Sequence, residues 1–354
     1  MRLTLLIPEL IWPEPGDAET FAGLACPALA TLLARGRRSA VTTAPATFDA
    51  AIARTFGLDR AVPYAPLRLL GEGIDPGDAH WACADPVHLR LHQERLILAD
   101  GSRIDVALAE AETLTGELNR YFGDIGEFRA TAPDRWYLRL SAAADFETLP
   151  LSAMAGRRVE RLLPEDRHTA WLRKLLNEAQ MLLHGHAINE SRGDAGRMTI
   201  NSLWLWGPGQ LPRELRAEWT AVCSDHPLAL GLARCAGVPA QAAPASFAAL
   251  EKQAGADGKV LVTLDPLLRA VQYEDSEAWR AGLARLENDW FAPLAGAVRS
   301  GRVSLDLRAS TIYGELGWQI ERGDLWKFWQ RPQPLQALAQ SLAAASQAAE
   351  GAQP

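Results

Sequence analysis

Lysine is almost missing from this chain of 354 residues: Lys174, Lys252, Lys259 and Lys327 are the whole set, and arginine carries the remaining positive charge. Acidic residues outnumber basic ones, 43 to 36, giving a formal net charge of −7. A general nucleic-acid binder normally carries a basic face, so no nucleic-acid partner is expected. Cysteine is also sparse. Cys26, Cys83, Cys223 and Cys235 are scattered, and none falls in a C-x-x-C pair of the zinc-ribbon or thioredoxin kind. Such usage suits a reducing cytoplasm, which is the expected location. No stretch approaches the roughly 20 apolar residues of a membrane span. The opening run Leu3–Ile7 is too short for a signal peptide. The G-x-x-x-x-G-K-[ST] phosphate loop and the G-x-S-x-G elbow are both absent. No histidine follows His226, which excludes any mechanism that needs a late one.

What is present describes a globular protein: 48% hydrophobic and 22% charged residues, in a chain long enough for a sizeable core. Leu3–Ile7, ended by Pro8, reads as a buried strand. Pro27–Arg35 reads as a helix with proline in its first turn and Gly36 just past its end. Thr47–Phe56 is a second helix, and Pro63–Gly77 a loop or domain crossing. Alternation predicts a strand at Val87–Leu91, and helices are expected over Val106–Phe122 and Glu165–Leu183. Beyond residue 200 strands alternate with helices. The strands are Ile200–Trp206, Thr220–Cys223, Val260–Leu264 and Val303–Leu307. The helices are Pro227–Ala236, Ser246–Gln253 and Ser276–Arg299, the last kinked or shortened by Pro293. That alternation predicts βαβ units and a mostly parallel sheet. Leu335–Pro354 is expected to be a frayed helix or tail.

Several groups of residues invite a chemical reading. His88 and His92 share a strand face but lie roughly 13 Å apart, too far for one ion. His184-Gly185-His186 could chelate a metal, although histidine also favours the C-terminal end of a helix. Asp225-His226-Pro227 could be a catalytic pair, although aspartate at this position more often caps a helix. Gly71-Glu72-Gly73 and Gly207-Pro208-Gly209 read as turns. The densest constellation is Asn189, Arg192 and Gly196 followed by Asn201, Trp204, Trp206, Gly207 and Gly209. A strand ending in Trp-x-Trp and a Gly-x-Gly turn leaves backbone amides at a strand's carboxyl edge, where open α/β sheets bind ligands. Arg192 adds a fork suited to phosphate or carboxylate, and the asparagines add amides. Core packing of both tryptophans accounts for the same residues equally well. Trp318, Trp326 and Trp329, beside Arg322, Lys327 and Arg331, could form an interaction face; packing on the core is the favoured reading.

Asn189 through Pro212 resembles the N-x-x-R-x-x-x-G … W-L-W-G-x-G-x-x-P signature of archaeal-type cofactor-independent phosphoglycerate mutases, of the alkaline phosphatase superfamily. The closer subgroup it resembles is a degenerate bacterial one of RpfE-type regulatory proteins. Ala221–Val238, Ala65–Trp81 and Cys26–Gly36 match further segments in order. The resemblance implies an alkaline-phosphatase-like α/β core with a mostly parallel sheet flanked by helices, formed by residues 1–64 and 199–354. A smaller inserted α/β domain spans 65–198, and 335–354 form a helical or disordered tail. It also implies two divalent metals and a phosphoryl-carrying serine. With Asp49, Ala51, Gly57, Leu58 and Asp59 in register, that serine is Phe48 here, and Thr47 is adjacent. The first metal aspartate matches Glu9, or Pro8 if the register shifts, and the helix aspartate is Ala30. The family's next Asp and Lys become Pro227 and Leu230. Asp265 survives near one late element, and Asp306-Leu307 stands where Asp-His is expected.

Two functions follow from this pattern. The first is a catalytically degenerate mutase-like protein, free of cofactor, that binds a phosphorylated or carboxylated ligand or a protein partner in regulation. Its ligand site would use Asn189, Arg192, Asn201, Trp204, Trp206, Gly207 and Gly209. The second is an active metal-dependent phosphotransferase or phosphatase holding Mn, Zn or Mg. It would use Thr47 and Asp49 for chemistry and draw ligands from Glu9, His184, His186, Asp225 and His226.

Overall fold

The computed structural model describes residues 1–39, 46–92, 95–144, 146–156, 158–159, 170–253 and 258–350. The apolar run at the start forms β1 (Arg2–Leu6), which lies between two parallel neighbours, β11 (Lys259–Thr263) and β12 (Ser304–Thr311). β9 (Ala221–Cys223) and β10 (Ala240–Gln241) continue the parallel set beyond β11. On the other side β12 turns back antiparallel into β13 (Gly314–Ile320), and β13 pairs antiparallel with β2 (Arg37–Ser39). The seven strands run in the order β10-β9-β11-β1-β12-β13-β2. This is the mostly parallel α/β sheet expected of the core.

Alternation along the strands divides the sheet's two faces. Leu3, Leu5, Leu305, Leu307, Val260, Val262 and Trp318 enter one large core. That core is shared with Leu29 and Leu32 of the helix Pro27–Arg35 and with Trp279 and Leu283 of the helix Ser276–Leu286. Leu335 and Ala339 of the last helix, Leu335–Glu350, are buried in it too, so of the two expectations for this segment the helix is the one that forms over 335–350. The side chain before the helix Pro27–Arg35 is Cys26, which makes no capping bond. Glu287 supplies the cap from elsewhere in the chain, accepting from the Ala28 and Leu29 amides at 2.6 and 3.0 Å. Burial, with the Glu287 charge beside it, pushes the Cys26 thiol up to about 11. Glu287 opens a five-residue π-helical turn, Glu287–Phe291, immediately before Ala292-Pro293. This is the interruption expected from Pro293, whose missing N–H cannot continue the ladder.

A second unit spans Leu58–Leu215, and the first comprises Met1–Gly57 with Arg216–Pro354. The second unit is built on an antiparallel sheet. β3 (His80–His92) pairs with β4 (Arg95–Asp100), β6 (Arg135–Leu140) and β8 (Ser202–Gly209). β5 (Gly126–Ala132) pairs with β6 and β7 (Arg158–Val159) with β4. The boundaries therefore differ from the expected 64/65 and 198/199. Trp-Leu-Trp reads as a buried core strand in sequence, but it lies beside β3 and takes residues up to 215 into the second unit. The expected loop Pro63–Gly77 also contains a helix, Tyr64–Gly71. Pro63 is its N-cap and Pro66 sits in its first turn, where proline removes no helical bond. Of the expected helix Glu165–Leu183, residues 165–169 lie outside the described residues, and Ala170–His184 is helical.

Candidate functional site

The signature Asn189–Gly209 lies wholly in the second unit, and the structure gives its polar groups partners in the fold. Arg192 is 1% exposed. Its guanidinium meets the Glu110 carboxylate at 2.6 Å and the Met198 carbonyl at 2.7 Å, and also donates to the carbonyls of Ile104 and Asp105. Asn189 donates to the Leu183 and Ile200 carbonyls and accepts from the Ile200 amide. Asn201 pairs with both backbone groups of Leu89 and so lengthens the β8–β3 ladder. The Trp204 indole donates to the Leu149 carbonyl, and the Trp206 indole donates to Asp85 at 2.8 Å. The fork at Arg192 thus grips backbone and Glu110, in the place foreseen for phosphate or carboxylate.

The Gly-x-Gly segment is likewise a strand and not a tight turn. Trp206 faces Cys83 and Gly209 faces Trp81, so β8 carries one residue more than β3 between these pairs. The extra residue is a bulge, and Gly207 takes φ +56° within it. A Cβ there would stand 2.5 Å from the Tyr64 Cβ. Gly207→Ala is therefore expected to destabilise the second unit by about 2–4 kcal/mol, from overpacking plus a left-handed alanine. Urea unfolding of the full chain would measure it.

Beneath this strand lies a buried network that the sequence did not announce. Asp85, fully buried, accepts from Arg68 at 2.9 Å, from Trp206 and from the Trp136 amide. The Arg68 guanidinium stacks on the rings of Tyr137 and Trp206, 5.5 and 4.9 Å from their centroids. Glu72 accepts from Tyr137 and Arg135 next to it.

In the first unit, chemistry-bearing residues gather where the parallel strands end. After β1 the chain passes through Glu9, which is buried at φ +53°, a left-handed conformation that a non-glycine residue seldom takes. The Glu9 amide donates to the Ser310 carbonyl at the end of β12, and its own carbonyl accepts the Trp279 indole. The Ala46 amide donates to the neighbouring Thr311 carbonyl, which brings Thr47 to the same edge. Thr47 caps the helix Phe48–Arg54 through the Ala50 amide at 3.0 Å. After β9, Ser224 shares a 2.5 Å hydroxyl contact with Thr263 and accepts from the His226 amide. His226, not Asp225, is the N-cap residue of the helix Pro227–Cys235, and Asp225 instead accepts from the Ala243 amide. His226 Nε2 lies 3.7 Å from the buried Asp49 carboxylate, and the Phe48 ring meets the imidazole edge-on at 5.1 Å. The helices Phe48–Arg54 and Pro227–Cys235 pack together and hold this contact in place.

The metal candidates are divided between the two units. Glu9, Asp225 and His226 belong to the first unit and His184 and His186 to the second. His184 ends the helix Ala170–His184, as the dipole favours. His186 caps the next helix through Ile188. Among the described residues no three His, Cys, Asp or Glu side chains are placed to hold a metal ion. The described donors therefore do not fit a two-metal centre. Of the C-terminal tryptophans Trp318 is buried, whereas Trp326 and Trp329 are 64% and 66% exposed, contrary to the expected packing of all three on the core. No described helix is long and apolar enough to cross a membrane.

No protein-family model matches the chain. It is 26% identical over 259 residues to a Geobacter sulfurreducens protein named probable 2,3-bisphosphoglycerate-independent phosphoglycerate mutase, with 67% of this chain and 64% of that protein covered. It is also 26% identical over 262 residues to the Methanosarcina mazei 2,3-bisphosphoglycerate-independent phosphoglycerate mutase, again covering 67% and 64%. Both of these relatives carry the name 2,3-bisphosphoglycerate-independent phosphoglycerate mutase, the first as a probable one. The matched part spans just under two thirds of their length. Among solved structures, the PH0037 protein from Pyrococcus horikoshii shares the fold, with a TM-score of 0.54 at 17% identity over 90% of this chain and 86% of that one. The α/β architecture, with its mostly parallel sheet and flanking helices, is shared with that protein.

Proposed function

We propose that this chain is a phosphoglycerate-mutase-like protein that no longer transfers phosphoryl groups and instead binds a phosphorylated or carboxylated ligand, or a protein partner, in a regulatory role. The observation that carries this reading is Phe48. By the sequence register it stands where the relatives' nucleophilic serine would be, and its ring is 2% exposed and packed against His226. A phenyl ring has no oxygen to accept a phosphoryl group. In-line displacement between two metals also needs a ligand set around each ion, because the ions carry the charge of both the attacking and the leaving oxygen. Asp49 and His226 meet as a pair at this edge, 3.7 Å apart, and among the described residues no three donor side chains are grouped to hold an ion. An active enzyme with rearranged ligands is the competing reading, and it draws on that same pair.

A coupled mutase and phosphatase assay separates the two. The protein is stripped with chelator and resupplied with Mn²⁺, Zn²⁺, Co²⁺ or Mg²⁺, with Glu9→Ala as the control for contaminating host enzyme. The expected result is no metal-dependent turnover with any ion, together with heat of binding for 3-phosphoglycerate in calorimetry. Turnover that requires metal and disappears in Glu9→Ala would overturn the proposal.

A further inference from the structure

The second face of the seven-stranded sheet is polar across four strands. Register places Thr4, Asp306, Gln319 and Arg37 side by side in one row, and Arg2 beside Ser304 in the next. The cause is legible in β12: Leu305 and Leu307 alternate into the core, so Ser304, Asp306 and Arg308 must point the other way. Sheets of this parallel kind are ordinarily covered by apolar contacts on both faces. Here Arg2, Thr4, Ser304, Asp306 and Gln319 of these rows line a cavity of about 780 Å³, within the size range of small-molecule sites.

The cavity reverses the sign of the chain. The protein carries a net charge of −7, yet five cations line this space, Arg2, Arg54, Arg216, Lys259 and Arg308, against three carboxylates, Glu218, Asp306 and Glu321. Arg54 and Arg308 are fixed in place by the buried Glu315, at 3.1 and 3.9 Å, and Arg308 also by Asp306 at 2.9 Å. Lys259 pairs with Glu218. Arg2 and Arg216 make no ion pair among the described residues, and they supply the uncompensated charge. Trp219 closes one wall, its indole donating to the Thr55 carbonyl. The site is separate from the strand edge: Arg54 ends the helix that Phe48 begins, about 9 Å away along its axis.

We propose that this cavity binds a phosphorylated small molecule carrying at least two negative charges, held by Arg2 and Arg216 over the ordered guanidiniums of Arg54 and Arg308. A guanidinium fork matches phosphate oxygens. The inference does not depend on the fate of the strand-edge chemistry.

The test is calorimetric titration of the full-length protein with inorganic pyrophosphate. One site is expected, with affinity falling as salt is added. The double variant Arg2→Gln/Arg216→Gln removes two exposed side chains without breaking any ion pair, so its circular dichroism should match the parent. Its affinity should fall at least about tenfold, while His226→Gln at the strand edge leaves binding unchanged. Absence of pyrophosphate binding by the parent protein would overturn the proposal. So would binding that survives the double variant, or binding that is lost in His226→Gln.

Discussion

Asp85→Ala is expected to destabilise the second unit by about 3–5 kcal/mol, among the largest effects of any single substitution in this chain. The carboxylate is fully buried and accepts three hydrogen bonds, from Arg68, Trp206 and the Trp136 amide. Removing it strands a guanidinium that is 7% exposed and strips partners from two further donors. The rings of Tyr137 and Trp206 cannot replace an anion, because a cation–π contact contributes about 2 kcal/mol when desolvated. Asp85→Asn keeps an oxygen for the indole and should cost less than the alanine variant. Urea unfolding followed by tryptophan fluorescence reports the difference, since Trp206 is a member of the network. A loss under about 1 kcal/mol for Asp85→Ala would mean the pair contributes little.

Arg192→Ala is the second large effect, again about 3–5 kcal/mol, because it removes the cation paired with Glu110 and leaves the Met198 and Ile104 carbonyls without the guanidinium's bonds. Arg192→Lys should recover only part of this. An ammonium is a point charge and cannot reach Glu110, Met198 and Ile104 together. The pair also carries a pH signature. Burial pushes the Glu110 carboxyl up, but the Ala107 amide and Arg192 outweigh it and hold it below the ordinary value of 4.5. A carboxyl depressed in the folded state stabilises fully above its unfolded value, and that contribution fades as pH falls through the folded one. The stability gap between the parent and Arg192→Ala should therefore be widest near neutral pH and narrow below about pH 4.5. A gap that stays constant into acid would show that Arg192 acts through its carbonyl contacts alone. If Arg192 instead served a ligand and not the fold, its removal would leave unfolding almost unmoved.

What was legible in the sequence depended on how local its cause was. The helix Pro27–Arg35 carries its own punctuation, proline at the first position and glycine just beyond the last, and it forms over those residues. The interruption before Pro293 follows from one missing N–H. The helix Tyr64–Gly71 was hidden because Pro63 and Pro66 read as breakers, although both fall where a helix tolerates proline. β13 was missed because Gly314 and Gly317 dilute its apolar pattern. The signature residues were found, but their roles depend on distant partners. Arg192 meets Glu110, 82 positions away, and Asn201 meets Leu89, 112 away. A polar side chain looks the same in sequence whether it awaits a ligand or a backbone carbonyl. Asp49 and His226 were each candidates, yet only folding brings them to 3.7 Å.

The pairing of β3 with β8 also bears on how such a chain could arise. Pro63 and Gly209, five and six positions inside the second unit's two ends, touch, and a Cβ added to the glycine would lie 2.7 Å from the Pro63 ring. A module whose two ends meet can be spliced into a surface loop of a host, or cut out of it, at small chain-entropy cost, because the loop it replaces was already closed. Residues 58–215 thus have the anatomy of a transplantable cassette. Recombination could exchange such a cassette whole, leaving the parallel sheet of its host intact.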